Sequence, residues 1–358
     1  MTAVAGDESG PPGGPGGPGG SGGSGEVRIG VVYPFDEAAR AAFAAVSPRL
    51  QLRFDERYDQ AGVDAVAADD LDGLVAGHLP SAMSRTPSLR WLQALSAGVE
   101  LIVGDGSEPW PAAIELTNAR GVYAIPIAQY TLAAILDVAE RGQDRRAQQA
   151  LGVWADQDAF TGRSLRGTTL VIVGYGGIGR EIARLAAAHG MRVLAVKAKP
   201  ATLTDDGFRM PGTGDPEGAI PERVVGLADL ESIAREADFM SVNLPLTGGT
   251  RGVVSRDVLA ALPRHAWIVN TGRGPVIDEA ALDEALAADR LGGAVLDVFG
   301  EEPLPPTSPL WRRANVVVTP HVAGAGATVE LQALVAQNLR RFVDGEPLLN
   351  HVDTERGY

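Results

Sequence analysis

The chain contains no cysteine. That excludes disulfides, thiol catalysis and any metal site built on thiolates, and no metal site of another kind is expected. Long apolar runs are missing as well: no stretch is long enough to cross a bilayer as a helix. The first residues lack the charged-then-apolar pattern of a signal peptide, so a cytoplasmic location and no membrane partner are expected. Positive charge is in deficit, with 31 Lys and Arg against 45 Asp and Glu and a formal net charge of −14. This argues against nucleic acid as a main partner.

Glycine is abundant but unevenly placed. Residues 1–25 are mostly Gly, Pro and Ser; such a segment has too little apolar surface to bury and is expected to be disordered. The remaining length suggests two domains. From residue 26 short apolar pieces alternate with helical patterns: 27–33 (VRIGVVY), 50–54, 65–67, 74–77, 92–95 and 114–118. Between the first two lies an alanine-rich helical stretch, 36–46. Alternating β and α elements imply an α/β domain with a parallel sheet. One long helical pattern, 125–154, leads out of it.

The stretch 168–200 organises the second half of the chain. An apolar run (170–173) enters the turn Gly174-Tyr175-Gly176-Gly177-Ile178-Gly179, a helical pattern runs on to Gly190, and a second apolar run (193–196) closes a βαβ unit. In that context the glycines are a dinucleotide fingerprint: they permit a tight turn, close approach of a pyrophosphate and close helix–strand packing, with a helix N-terminus facing the anion. The same spacing at Gly14, Gly16 and Gly19 has no flanking strand or helix and carries no such meaning. Further strands are expected at 239–244, 267–270, 294–298 and 316–319, with helices at 227–236, 256–262, 278–287 and 328–343. Asp278 reads as a helix cap. The last helix follows this second unit in sequence but can return to the first. Residues 201–226 form a long Gly-, Pro- and Asp-rich connection expected near the adenosine end of a bound dinucleotide, either functional or a mobile insertion.

Three groups stand at or just beyond the ends of expected strands, where open α/β sheets bind ligands. They are Thr271-Gly272-Arg273 after 267–270, Asp297 through Glu302 after 294–298, and His321 after 316–319. Together they suit reduction of a 2-oxo acid. The planar fork of Arg273 can bind a carboxylate and polarise a carbonyl. A histidine, with an ordinary pKa of ~6.5, can protonate the developing alkoxide. Glu302 can favour the imidazolium form of His321 and orient it.

From about residue 27 to 343 the chain resembles the D-isomer-specific 2-hydroxyacid dehydrogenase family. The resemblance is carried in order by GTTLVIVGYGGIGREIA (167–183), ADFMSVNLPLTGGTRGVV (237–254), VNTGRGPVIDEAAL (269–282), LDVFGEEPLP (296–305) and TPHVAG (319–324). It implies two domains around a cleft, a Rossmann-type doubly wound parallel sheet for the dinucleotide (125–320) and a flavodoxin-like substrate domain (26–124 with 321–358), and a homodimer. It places the catalytic residues on Arg273, Glu302 and His321, the nicotinamide contact on Asp297, and the adenosine side on Pro245 and Thr250. Ala97 and Gly98 fall in the loop whose amides hold the substrate carboxylate.

The departures are informative. Where NAD-dependent members end the second strand with an acid, this chain has Lys197, with Lys199 two residues on. Lysines would attract a 2′-phosphate that an acid would repel, so NADP(H) is the expected cofactor, with NAD(H) possible. Gln129-Tyr130 stands where the family often has Glu-His. Formate dehydrogenases, with glutamine in place of Glu302, and phosphoglycerate dehydrogenases with a C-terminal regulatory domain fit less well than a glyoxylate/hydroxypyruvate-type 2-ketoacid reductase. The alternative from another class is a dinucleotide-sensing scaffold similar to the C-terminal-binding corepressors.

Overall fold

The computed structural model describes residues 25–103, 110–154, 156 and 158–354; most of the Gly/Pro-rich tail, residues 1–24, lies outside them. Two parallel sheets organise the chain. The first contains β1 (Val27–Val32), β2 (Leu50–Asp55), β3 (Gly73–Val75), β4 (Trp91–Gln93) and β5 (Glu115–Thr117) in the order β2-β1-β3-β4-β5. That is the flavodoxin order. Its helices are α1 (Glu37–Ala44), α2 (Gln60–Val66) and α3 (Glu100–Val103). Asp36 caps α1 and Asp59 caps α2 by accepting from the N–H three residues on, each cap contributing roughly 1 kcal/mol.

Helix α4 (Ala124–Ala139) carries the chain across to the second sheet. The expected single helix 125–154 is broken here into α4 and α5 (Gly142–Leu151). Arg141 adopts a left-handed φ of 55°, and Gly142 packs so close to Asp137 that a Cβ would sit 1.9 Å from its Oδ1. The helix therefore cannot continue through that point in one direction.

The second sheet contains β6 (Thr169–Val173), β7 (Arg192–Val196), β8 (Arg223–Val225), β9 (Phe239–Val242), β10 (Trp267–Asn270), β11 (Gly293–Leu296) and β12 (Val316–Val318), with α6 (Gly177–Ala188), α7 (Leu230–Ala234), α8 (Arg256–Ala261) and α9 (Glu279–Ala287) between them. The order β12-β11-β10-β9-β6-β7-β8 is a Rossmann sheet extended by one strand, and it reverses direction between β6 and β9. β6 is buried along its whole length, as expected of a central parallel strand covered on both faces. Asp278 caps α9 through the Ala281 N–H at 3.0 Å. The final helix α10 (Thr328–Asp344) returns to the first sheet: Leu331, Leu334, Val335, Leu339 and Val343 share a core with Val27, Ile29, Val31 and Trp91.

The connection after β7 is not the mobile insertion that was one of the two expectations for it. Its end forms β8, an edge strand, and the rest is tied down rather than loose. Tyr175 donates to the Asp215 carboxylate, and buried Arg180 donates to the carbonyls of Asp215 and Leu203. Phe208 inserts into the core of the first domain beside Ala119 and Val122, which contributes about 1.5–3 kcal/mol for a ring of that size. Its N–H donates to Asn350 Oδ1 at 3.1 Å, and Arg120 pairs with Asp205 at 2.7 Å. A segment inserted in the second domain is thus anchored in both domains.

Candidate active site

The glycine turn lies at the C-terminal end of β6, at the switch point. A Cβ on Gly174 would approach the Asn243 backbone to 2.9 Å, and one on Gly179 would approach the Gly174 carbonyl oxygen to 2.2 Å. Both glycines are therefore required for the turn to close. A Cβ on Gly176, in contrast, would meet nothing within 4 Å; it faces open space at the start of α6, where Gly177 and Ile178 begin the helix. This is the geometry a pyrophosphate needs at a helix N-terminus. Gly179→Ala is expected to abolish dinucleotide binding, checked by nicotinamide-fluorescence titration; retained binding would show that the turn is not the cradle.

Neighbouring strand ends extend the same edge. After β9, Thr250 donates through Oγ1 to the Pro245 carbonyl at 2.6 Å and closes that turn. After β10, Thr271 donates to Asn243 Oδ1 at 3.0 Å, and Gly272 lies so near Leu244 that a Cβ would stand 2.9 Å from its carbonyl oxygen. Pro245, Thr250, Thr271 and Gly272 therefore belong to one surface with the glycine turn. Lys197 lies at the end of β7, half-buried, and Lys199 beyond it is exposed. The ammonium of Lys197 donates to the Thr202 carbonyl.

Arg273, Glu302 and His321 converge one strand further along. Gly274 packs directly against Phe299, where a Cβ would be 1.9 Å from its carbonyl carbon, and this contact brings Arg273 alongside the Glu302 loop. Arg273 is half-buried and donates to its neighbour's carbonyl, Gly272 O, at 3.0 Å. Glu302 accepts from the Phe299 N–H at 2.9 Å through one oxygen and pairs with His321 Nδ1 at 2.8 Å through the other. Burial pushes the Glu302 carboxyl up, but the hydrogen bonds from His321 and Phe299 and the charges of His321 and Arg273 outweigh it and hold the group below its usual value of 4.5. With Nδ1 committed to Glu302, the other ring nitrogen is the one free to face a substrate.

His321 has a left-handed φ of 55°, a sparsely populated conformation for any residue but glycine. The turn is held by Asp297, which is buried to 1% exposure. Its carboxylate accepts from Thr319 Oγ1 at 2.6 Å and from the N–H groups of Val322 and Ala323 at 2.9 Å each, while its carbonyl accepts from the His321 N–H at 2.9 Å. A carboxylate has about four lone-pair sites, so one is left for a ligand N–H such as a carboxamide.

The first domain contributes the loop with Ala97 and Gly98. The carbonyls of Ser96, Ala97 and Gly98 accept from Ala119 N, Asn118 Nδ2 and Ser96 Oγ respectively, which fixes the loop through its carbonyl side. Tyr123 connects it to the histidine segment: its hydroxyl donates to Leu95 O at 2.5 Å, and its ring lies 3.4 Å from where a Cβ on Gly324 would be. Burial pushes this phenol up to about 12, with small additions from Tyr58 and Tyr33.

The sequence profile for the NAD-binding domain of D-isomer specific 2-hydroxyacid dehydrogenases matches residues 132–323, more than half the chain. The chain belongs to that family. This dehydrogenase is 34% identical over 274 residues to a glyoxylate reductase of Korarchaeum cryptofilum, covering 75% of this chain and 77% of the relative. The fold is similar to a D-isomer specific 2-hydroxyacid dehydrogenase from Xanthobacter autotrophicus Py2 solved with NADPH and MES, at TM-score 0.75 and 29% identity, covering 93% of this chain and all of that one. It is also similar to an NADPH-dependent glyoxylate/hydroxypyruvate reductase from Sinorhizobium meliloti solved with NADP and sulfate, at TM-score 0.72 and 27% identity with the same coverage. The dehydrogenase is accordingly an NAD(P)-dependent oxidoreductase with a Rossmann domain and a substrate domain.

Sequence reasoning missed the neighbours that support the site. Tyr130 bonds Thr319 at 2.6 Å across 189 residues, and Tyr123 ties Leu95, beside the Ala97–Gly98 loop, to the histidine segment at Gly324. Neither contact has a local signature; the one hint was the departure at Gln129-Tyr130. Among the described residues no cluster of His, Asp and Glu is placed to hold a metal, and no helix is long and apolar enough to cross a membrane.

Proposed function

We propose that this dehydrogenase reduces a small 2-oxo acid to the corresponding D-2-hydroxy acid with NADPH as the preferred reductant. The substrate domain is formed by residues 26–124 and 321–358 and the dinucleotide domain by residues 125–320. The observation that carries the reading is the His321–Glu302 pair at 2.8 Å beside Arg273, on strand ends next to the glycine turn. When bound, the reduced nicotinamide supplies the hydride. Arg273 takes the substrate carboxylate and draws electron density towards the carbonyl oxygen; the amides at Ala97 and Gly98 hold the other side of the carboxylate. His321 gives its proton to that oxygen, and Glu302, kept ionised, stabilises the charged ring before transfer. The D configuration follows the family's description, and the family resemblance also implies a homodimer.

Lys197 supports the choice of NADPH. Burial lowers its pKa, nearby Arg180 and Arg120 lower it further, and Asp205 opposes them. Positive charge is therefore concentrated where the ribose 2′-position is expected, and a phosphate there would relieve its self-repulsion. Lys197→Asp is expected to raise the KM for NADPH by ~10- to 100-fold, the worth of one charge-assisted hydrogen bond, while the KM for NADH falls. A panel of 2-oxo acids run with NADPH and NADH side by side tests the whole reading. Negligible turnover with either would favour a dinucleotide-binding scaffold, and equal or better rates with NADH would remove the NADPH preference.

A further inference from the structure

His321 is the proton donor in the proposed reaction, and its usefulness depends on a backbone turn that imidazole chemistry does not itself hold. The contacts beneath that turn form one continuous chain. Tyr130 on α4 bonds Thr319 Oγ1 at 2.6 Å, Thr319 Oγ1 bonds Asp297 Oδ1 at 2.6 Å, and the Asp297 carboxylate takes the N–H groups of Val322 and Ala323. The direction of each bond can be deduced. Asp297 faces three donors and acts as acceptor throughout. A threonine hydroxyl has one proton, and in Thr319 it is committed to Asp297. Tyr130 must therefore be the donor to Thr319. Burial pushes the Tyr130 phenol up, against a smaller opposing effect of its bond to Thr319, so it keeps the proton it has to donate at neutral pH.

The geometry points to Tyr130, Thr319 and Asp297 as a positioning relay that sets the His321 turn from the interdomain helix. The relay is directional, and its middle member matters most. Without the Thr319 hydroxyl, both the Tyr130 donor and an Asp297 acceptor site lose their partner. Without the Tyr130 hydroxyl, only one acceptor site on Thr319 is left open. The residues around the relay explain why a small slip would be felt. His321 Nδ1 is already fixed by Glu302 at 2.8 Å and its N–H by Asp297 O. Any movement of the turn is therefore transmitted to the reactive ring nitrogen. Misplacement by about 1 Å at a reacting group can cost ~100-fold in rate.

The test uses the full-length protein and the variants Tyr130→Phe, Thr319→Val, Thr319→Ser and the Tyr130→Phe/Thr319→Val pair. Thr319→Val should lower kcat for 2-oxo acid reduction by ~10- to 100-fold with the KM for the 2-oxo acid changed less than about twofold, since Arg273 is untouched. Tyr130→Phe should lower kcat by about two- to tenfold, the worth of one neutral hydrogen bond. The pair should be no worse than Thr319→Val alone, and Thr319→Ser, which keeps the hydroxyl, should restore kcat. Additive losses in the pair, or unchanged kcat in both single variants, would overturn the relay. So would a fall in Tm without any change in kcat or in the His321 ring.

The inference rests on the proposed role of His321, so a second measurement is made without turnover. The His321 ring resonance, identified by its loss in His321→Gln, should shift in Tyr130→Phe and Thr319→Val and return in Thr319→Ser. If the wild-type protein reduced no 2-oxo acid, the functional reading would fall while this signal still decided the relay; a ring signal unmoved in both variants would sink the relay alone.

Discussion

Replacing His321 with asparagine should lower kcat for 2-oxo acid reduction by about 10²- to 10⁴-fold, the usual worth of a positioned general acid, while the protein still binds its dinucleotide. Asparagine is the informative choice because it tolerates the left-handed backbone that His321 adopts at φ 55°. The turn is then retained while the imidazole is lost. Alanine at the same position should show a similar loss in kcat with an additional fall in Tm, because it adopts that conformation less readily. Steady-state kinetics with calorimetry separate the two effects; a His321→Asn variant turning over at near wild-type rate would remove the histidine from the chemistry.

The partner of His321 gives the effect a pH dependence. Glu302 is held below its ordinary value of 4.5. Its folded pKa is depressed, so its contribution is fully present above the unfolded value and is lost as the pH falls through the lower, folded value. An acid limb caused by this group should therefore begin only below pH 4.5. Glu302→Gln should remove that limb and reduce the rate across the neutral range, because the ring loses its negative partner.

Arg273→Ala should reduce kcat/KM by ~30- to 4,000-fold, corresponding to the roughly 2–5 kcal/mol lost when one partner of a desolvated charge pair is truncated. The loss should appear in both parameters. The substrate carboxylate loses its anchor, which raises KM, and the carbonyl loses its polarising group, which lowers kcat. Arg273→Lys should recover part of the KM but little of kcat, since a point charge cannot reproduce the planar fork. Dinucleotide affinity should change less than about threefold, because Thr271 and Gly272 contact Asn243 and Leu244 independently of the guanidinium. A variant with unchanged kcat/KM would show that the carboxylate is held elsewhere, with the Ala97–Gly98 loop as the first alternative.

Much of this site was legible in the sequence because its signals are short. A glycine turn between an apolar run and a helical pattern, an arginine between glycines, and a histidine after a strand each occupy only a few residues. The topology places them at adjacent strand ends without further information. What the sequence concealed was non-local or conformational. The break at Arg141 depends on one residue's φ and on Gly142 against Asp137, and a single glycine in an otherwise helix-favouring run is too weak a signal to place it. Strand β8 has only three residues, at a sheet edge and without a buried face. The segment before it, rich in Gly, Pro and Asp, reads as either a functional loop or a mobile insertion, and nothing local shows that Asp215 accepts from Tyr175 40 residues away. The Tyr130–Thr319 contact joins two ordinary hydroxyl residues, and no pattern within either segment marks them as partners.

That anchored segment also determines how the two domains can move. The chain passes between them twice, after β5 and after β12, and the insertion adds a third strip. Phe208 lies against Gly121, where a Cβ would stand 2.0 Å from the Phe208 carbonyl oxygen, and Tyr123 lies against Gly324. The three strips are therefore side by side. Two connections would leave a domain able both to swing and to twist about them; a broader band resists torsion while still permitting rotation about its own line. Under the proposed function, such a band would let the Ala97–Gly98 loop move away from Arg273 and His321 to admit substrate and meet them again in the same register.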